Sequence, residues 1–160
     1  MNTCSIRPTQ PADTPALLVL AQETGVFRPL EITALEEVLV DFHAANRALG
    51  HHSVSYVEGD LIGGFAYFAP AAMTDRTWHL YWIAVSRTLQ ARGIGGSLLA
   101  HAEDAIRALE GRLLLIETSS QPHYELTRRF YQKHGYVQAA TLKDFYRDGD
   151  DMLVFSKRLE

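Results

Sequence analysis

The chain has 160 residues, of which 47% are hydrophobic and 21% charged, which is the balance of one globular domain with a buried core. The formal net charge of −4 argues against a broad nucleic-acid interface, and the single cysteine, Cys4, excludes an internal disulfide and a thiolate zinc site. No apolar run approaches the ~20 residues of a membrane-spanning helix, and the first residues lack the pattern of a signal peptide. We therefore expect a cytoplasmic protein with no membrane partner and no nucleic-acid partner.

The hydrophobic pattern predicts a single domain over residues 1–160 in which strands and helices mix. Alternating apolar residues indicate strands, spacings of three and four indicate helices, and glycine, proline and aspartate mark the ends. The predicted order is βααβββαβαββ, which gives an α/β domain with a mixed sheet. In chain order the elements are a strand at 5–10, helices at 11–25 and 31–50, strands at 52–58, 61–70 and 77–85, a helix at 98–109, a strand at 111–120, a helix at 124–135 and two strands within 136–159.

Three details of this pattern concern the interior. Strand 77–85 is apolar on both faces, so we expect it at the centre of the sheet. Gly63 and Gly64, inside the second arm of the predicted hairpin, indicate a bulge or a close backbone approach. In the last helix, the spacing places Leu126 and Phe130 on the buried face.

The stretch Gln90–Ser97, QARGIGGS, joins an apolar strand to a helix and carries three glycines. Glycine costs about 0.5–1 kcal/mol of helix stability relative to alanine, and an anion bound by bare backbone N–H groups would offset that cost. A P-loop would need a lysine after the glycines, a Rossmann fingerprint a glycine in place of Leu98, and a nucleophile elbow a glycine in place of Leu99. The N–H groups that can converge on an anion are those of Arg92, Gly93, Gly95, Gly96 and Ser97.

Two motifs in the same order resemble those of the GNAT superfamily of acyl-CoA-dependent N-acyltransferases. The first is Gln-x-x-Gly-x-Gly between a buried strand and a helix, and the second is the aromatic-Tyr-x-x-x-Gly-aromatic pattern in TRRFYQKHGY. The resemblance covers roughly residues 77–136 and weakens toward both ends. One departure is Tyr124, which stands where the family often has asparagine, so the contacts of that asparagine are not carried over.

The resemblance implies a fold and a cosubstrate. In the GNAT fold the two central strands splay apart, pantetheine pairs with the backbone of the first, and the glycine motif holds the CoA pyrophosphate. Acetyl-CoA is the implied cosubstrate, and we expect no metal. The implied cofactor-binding residues are Ile83, Ala84, Val85, Gln90, Ala91, Arg92, Gly93, Ile94, Gly95, Gly96, Ser97 and Tyr131.

The resemblance also implies a general acid, while the base stays open. Tyr131 matches the family's acid and lies one helical step from the stripe formed by Leu126 and Phe130, so we expect its hydroxyl at the helix edge, facing the thiol. His79 falls where some members place a catalytic glutamate, and Glu117, near the end of its strand, is the competing base. A water chain is the third option. Alternation along strand 77–85 predicts one shared face for His79, Tyr81, Ile83 and Val85.

The remaining candidates would line a pocket for the acceptor amine. The main ones are Phe27, Glu31, Tyr81, Ser119 and Tyr124, with Arg28, Ser120 and the loop that contains Asp150 and Asp151 beside them. The acidic members of this set favour a cationic amine.

The resulting functional hypothesis is an acetyl-CoA-dependent N-acetyltransferase acting on a primary amine of a small molecule or amino acid, by direct attack in a ternary complex. A peptide or protein acceptor, at an N-terminus or a lysine, is one alternative, and a non-catalytic CoA-binding regulatory module is another. The sequence leaves a homodimer open.

Overall fold

The computed structural model describes residues 3–160, and its element order is the predicted one, βααβββαβαββ. Short 3-10 segments occur beside several of the helices and loops. The elements are β1 (Cys4–Pro8), α1 (Thr14–Glu23), α2 (Pro29–Ala44), β2 (His52–Glu58), β3 (Leu61–Pro70), β4 (Thr77–Val85), α3 (Ile94–Ala108), β5 (Leu113–Ser119), α4 (Glu125–Lys133), β6 (Val137–Arg147) and β7 (Asp150–Arg158).

The strands form one mixed sheet in the order β1-β2-β3-β4-β5-β7-β6. The β4–β5 pair is parallel and the other pairs are antiparallel. The prediction that residues 77–85 form a central strand is confirmed, since β4 has strands on both sides and helices over both faces. Within residues 3–160, no helix combines the length and the apolar character needed to cross a membrane.

The two central strands splay apart, as the resemblance implied. Register pairs between β4 and β5 run from Thr77 with Leu113 to Leu80 with Ile116 and then stop. Beyond that point the 81–85 segment of β4 pairs only with β3. A gap therefore opens in the middle of the sheet, and one edge of the β4 backbone faces it.

The predicted irregularity at Gly63 and Gly64 is confirmed. Tyr56 pairs with Gly64 while the next residue, Val57, pairs with Ile62, which leaves Gly63 as the extra residue of a bulge. A Cβ added to Gly64 would lie 2.9 Å from the Ala84 carbonyl oxygen, so β3 and β4 approach closely there.

A second bulge, in β4, makes one sequence-based prediction wrong. Tyr67 of β3 pairs with Trp82 and Phe68 pairs with Leu80, so Tyr81 is the extra residue. Leu80 and Ile83 consequently pack in the same core cluster although they are three residues apart. Because the bulge shifts the alternation, His79 lies on the opposite face of the sheet from Ile83 and Val85, and the four side chains expected on one face are divided.

Hydrophobic cores cover both faces of the sheet. The larger one joins α3 and Tyr131 of α4 to one face, and the smaller one joins α1 and α2 to the other. The gap between β4 and β5 opens between these two layers. Residues at the gap are therefore held by packed elements on both sides.

Candidate functional site

A cavity of about 1100 Å³ occupies the gap between β4 and β5. Its walls come from the α1–α2 loop, β4, the glycine-rich corner, the end of β5, α4 and the β6–β7 hairpin. Of the predicted site residues, Arg92, Ser97, His79, Ser120 and Asp151 do not line it. Those that do are Phe27, Arg28, Glu31, Tyr81, Ile83, Ala84, Val85, Gln90, Ala91, Gly93, Ile94, Gly95, Gly96, Glu117, Ser119, Tyr124, Tyr131 and Asp150.

The glycine-rich corner is the start of α3. Gly93 has a φ of +77° and is the N-cap residue, so it adopts a backbone conformation that a side chain would strain. The N–H groups of the first helical turn have no partner inside a helix, which leaves those of Ile94, Gly95 and Gly96 directed outward. The prediction for Ser97 is wrong, because its N–H donates to the Gly93 carbonyl at 3.0 Å.

Gly95 and Gly96 also let α4 pack against this corner. A Cβ on Gly95 would touch the Phe130 ring at 3.4 Å, and one on Gly96 would lie 3.0 Å from Cε1 of His134. Phe130 and His134 line the cavity as well. The two helices therefore meet at the same end of the cavity at which the free N–H groups lie.

The side chain of Arg92 points away from the cavity. Its guanidinium donates to Oε1 of Glu58 at 2.8 Å, and the Tyr56 hydroxyl donates to the same oxygen at 2.8 Å. Glu58 ends β2, so this pair of bonds ties the corner to the β2–β3 hairpin. Arg92 was predicted to bind the cofactor through its backbone N–H, which stays a prediction, and its side chain anchors the loop that carries the glycines.

Tyr131 is buried in the core, with only 4% of its surface exposed. Its ring lies beside those of Tyr136 and Phe155, whereas Leu126, expected on the buried face, is 78% exposed and lines the cavity. The predicted edge position is therefore wrong: α4 is rotated so that Tyr131 is its buried residue. Phe130 packs partly buried against the same core.

The Tyr131 hydroxyl is nevertheless placed to act in the cavity. Tyr131 lines the cavity, and within residues 3–160 its hydroxyl makes no hydrogen bond and is not among the fully buried unpaired atoms. Burial, with a smaller effect from Tyr124, raises the pKa of this phenol well above its ordinary value near 10. The group is therefore protonated at neutral pH and has a proton to donate.

The two candidate bases lie next to each other. Nε2 of His79 is 3.8 Å from Oε1 of Glu117, because the β4–β5 register sets His79 opposite Leu115. Glu117 lines the cavity with 44% of its side chain exposed, while His79 stands behind it and outside the lining. Nδ1 of His79 is buried and has no hydrogen-bond partner among residues 3–160.

A comparison with models of protein families shows which family the chain belongs to. The model of an acetyltransferase (GNAT) domain matches residues 48–138, more than half of the chain. The chain belongs to the GNAT family. Both the resemblance stated from the two motifs and the predicted fold are thereby confirmed.

Solved structures place the chain within the GNAT fold over its whole length. A protein of the GNAT family from Desulfovibrio desulfuricans is 35% identical, with 99% of this chain and 100% of that chain covered and a TM-score of 0.93. The ribosomal-protein-S18-alanine N-acetyltransferase of Escherichia coli is 18% identical, with 99% and 95% covered and a TM-score of 0.79. A Salmonella typhimurium protein solved with its cofactor acetyl-CoA is 18% identical, with 99% and 95% covered and a TM-score of 0.75. A search of curated proteins found no match.

The far end of this GNAT cavity is aromatic and charged. Asp150 accepts a hydrogen bond from Ser119 Oγ at 2.5 Å, and Glu31 accepts one from the Arg28 backbone N–H at 2.7 Å. The predicted neighbours Ser120 and Asp151 instead bond to each other outside the cavity, where the Asp151 N–H donates to Ser120 Oγ.

Sequence reasoning missed several residues of the cavity. Trp82 and His134 line it and were not singled out, and Leu126 lines it although it was expected on the buried face of its helix. A signal existed for His134, which lies one helical turn after Phe130. Within residues 3–160, no group of three or more His, Cys, Asp or Glu side chains is arranged to hold a metal ion.

Proposed function

We propose that this GNAT protein transfers an acetyl group from acetyl-CoA to the primary amine of a small molecule, with the amine attacking the thioester directly in a ternary complex. The observation that carries the proposal is one continuous cavity. It is lined both by the anion-binding corner of α3 and, further along, by Glu117 and Tyr131.

The residues of the corner fit a CoA pyrophosphate. The N–H groups of residues 94–96 are free of helix partners, and the positive end of the α3 dipole adds roughly 0.3–1 kcal/mol per charge at an exposed site. Arg87 and Lys133, on segments that adjoin the corner, line the same cavity and supply cations for phosphate. The unpaired edge of β4 at residues 81–85 offers backbone groups to an amide-bearing arm.

The cavity also holds the groups that acetyl transfer needs. Acetyl-CoA supplies an acetyl carbon activated as a thioester. Glu117 takes the proton from the attacking ammonium, directly or through a water molecule, and His79 adjoins it on the side away from the cavity. A backbone N–H of the unpaired β4 edge polarises the carbonyl, and the protonated Tyr131 donates its proton to the departing sulfur. The nitrogen loses two protons between ammonium and amide. Glu117 passes the first to solvent, and the second, released once the C–N bond has formed, restores the proton that Tyr131 gives to sulfur as the C–S bond breaks.

Two observations favour an enzyme over a CoA-binding module without activity. A binder has no need of an unengaged phenol at the cavity wall or of a half-exposed carboxylate beside it. Tyr131 and Glu117 both line the cavity, on α4 and β5.

The test combines binding with product analysis. A thermal melt with acetyl-CoA at about a hundred times its dissociation constant is expected to show about 2.7 kcal/mol of stabilisation. Thiol release should then depend on an added amine, and mass spectrometry should find the acetyl group on that amine. Acetyl-CoA that gives no stabilisation, or thiol release that no amine stimulates, would contradict the proposed function.

A further inference from the structure

We propose that the acceptor is a small monoamine carried on an aromatic or bulky apolar body, and that Tyr124 closes the pocket that selects it. This inference rests on the proposed function. It concerns the part of the cavity lined by Phe27, Trp82, Glu117, Tyr124 and Tyr146, which we call the acceptor end.

Aromatic side chains form the walls of the acceptor end. The rings of Phe27, from the α1–α2 loop, and Trp82, from β4, have centroids 5.5 Å apart at an interplanar angle of 56°. Tyr81, Tyr124 and Tyr146 add three more aromatic side chains to the lining. Such walls favour an aromatic or apolar body through buried area and ring contacts, and their faces also attract a cation.

Tyr124 joins two walls of the acceptor end. Its hydroxyl donates to the carbonyl oxygen of Val26 across 3.4 Å, a long bond that links the start of α4 to the α1–α2 loop. Burial, followed by the charge of Glu31, raises the pKa of Tyr124 to about 12, so the hydroxyl remains a donor at neutral pH. Because the two walls touch, an extended peptide has to displace Tyr124 to run between them, whereas a compact amine does not.

The charges of the acceptor end suit a single ammonium group. The carboxylates of Glu31 and Asp150 already accept hydrogen bonds, from the Arg28 N–H and from Ser119. Glu117 accepts none within residues 3–160, and its Oε1 lies 3.8 Å from Nε2 of His79. Hydrogen bonds from neutral donors leave Glu31 and Asp150 charged, so the lining here holds three carboxylates and, in Arg28 and Arg147, two guanidinium groups. The excess of one negative charge matches one ammonium, and it attracts a second one less than a wholly acidic pocket would.

Tyr124 is thus a specificity-determining residue. It stands where GNAT proteins often have asparagine, and a tyrosine there supplies both the ring of the wall and the hydroxyl that reaches Val26. A shorter side chain could provide neither.

The experiment compares three acceptors at saturating acetyl-CoA: phenethylamine, spermidine and a hexapeptide with a free N-terminal alanine. We expect kcat/KM for phenethylamine to exceed that for the other two by about tenfold or more, the scale of discrimination in an apolar pocket. Tyr124→Ala should raise the KM for phenethylamine by about tenfold and bring the peptide closer to it. Leu142→Ala, which removes an exposed apolar side chain outside the cavity, is the control and should leave the ratio unchanged.

The outcomes separate this inference from the proposed function. A wild-type preference for spermidine, an unchanged acceptor ratio in Tyr124→Ala, or acetylation of other small amines without acetylation of phenethylamine would overturn the inference and leave the function standing. A preference for the peptide would overturn the inference together with the small-molecule part of the proposed function. Absence of acetyl-CoA stabilisation, or thiol release that no amine stimulates, would overturn the function itself. Tyr124→Phe, which keeps the ring and loses the bond to Val26, provides a second variant if Tyr124→Ala fails to fold.

Discussion

The corner end and the acceptor end of the cavity are built from different parts of the chain. At the corner, the groups that we propose bind phosphate are backbone N–H groups at the start of α3, and two of its glycines sit where a Cβ would press on α4. At the acceptor end, the walls are large side chains from the α1–α2 loop, β4, the start of α4 and the β6–β7 hairpin. Substitutions that add atoms should therefore disturb the corner, and substitutions that shorten a side chain should disturb the acceptor end.

Because of this difference, we expect substitutions in the two regions to change different kinetic constants. Changes at the corner should alter the KM for acetyl-CoA, since backbone groups that hold phosphate act before and during the reaction. Changes in the aromatic walls of the acceptor end should alter the KM for the amine. Tyr131 and Glu117, which we propose act in the chemical step, should alter kcat. A corner variant that changed only the KM for the amine, or an acceptor-end variant that changed only the KM for acetyl-CoA, would contradict this division.

The largest effect is expected for Tyr131→Phe. The ring and its packing remain, and the proton donor is lost, so turnover should fall by ~10²–10⁴ with little change in acetyl-CoA affinity. Steady-state kinetics with the best acceptor measures both constants. The fall in turnover should be smaller for acyl donors whose thiol is more acidic, because their departing sulfur needs less protonation.

The raised pKa of Tyr131 adds a pH dependence to this prediction. Burial favours the neutral phenol, so the group stays protonated beyond its ordinary pKa near 10, and the wild type should lose no activity to its ionisation below about pH 10. A Tyr131→Phe protein with full turnover would reduce the residue to a packing role.

The next effect concerns Glu117, in the cavity wall, and His79 behind it. Glu117→Gln keeps the shape and removes the base, so kcat should fall by about 10²-fold. His79→Ala should cost less, because His79 does not line the cavity and reaches it only through Glu117. Steady-state kcat values of both variants, measured with the same acceptor, provide the comparison. If His79→Ala lowered kcat more than Glu117→Gln did, the role of base would pass to the histidine.

A smaller effect is expected when a methyl group is added at the corner. Gly93 (φ +77°) and Gly50 (φ +95°) both have positive φ, and an added Cβ meets no atom closer than 3.7 Å at either, so alanine strains each backbone by a similar ~1–2 kcal/mol. Gly93→Ala should shift the N–H groups and raise the KM for acetyl-CoA by about tenfold, close to 1.4 kcal/mol. Gly50→Ala, just before β2 and outside the cavity, should lower stability and leave that KM unchanged. Equal KM values in the two variants would remove the corner from cofactor binding.

The smallest effect is expected when the ion pair between Arg92 and Glu58 is weakened. Glu58→Gln weakens the ion pair that ties the corner to the β2–β3 hairpin, and exposed pairs contribute about 0.2–1 kcal/mol. We therefore expect the KM for acetyl-CoA to rise by no more than about fivefold, with kcat unchanged. Glu160→Gln, which breaks an exposed pair with Arg158 at the far end of β7, is the control. A change in kcat would contradict the view that Glu58 only holds the glycine-rich corner in position.

The sequence sufficed for the fold and for the corner because both depend on local signals. Glycines at a strand–helix junction predict free N–H groups, and the element order follows from periodicity that tertiary packing does not override. The bulge at Gly63 was predictable for the same reason, since glycine marks it.

The remainder of the site depends on pairing between distant segments. The bulge at Tyr81 carries no glycine and arises from the register between β3 and β4, so the divided face of β4 could not be read from alternation. The approach of His79 to Glu117 follows from the β4–β5 register. The burial of Tyr131 in place of Leu126 follows from how α4 lies against the core formed with α3 and β7.

The central claim is that the start of α3 holds the phosphates of acetyl-CoA. An NMR titration of the ¹⁵N-labelled protein with CoA tests it directly, because the backbone N–H groups themselves are observed. The account predicts large, saturable shifts for the amides of Gly93, Gly95 and Gly96, with little change at Gly50, which lies before β2 and outside the cavity. CoA that bound while those three amides stayed unshifted would contradict it.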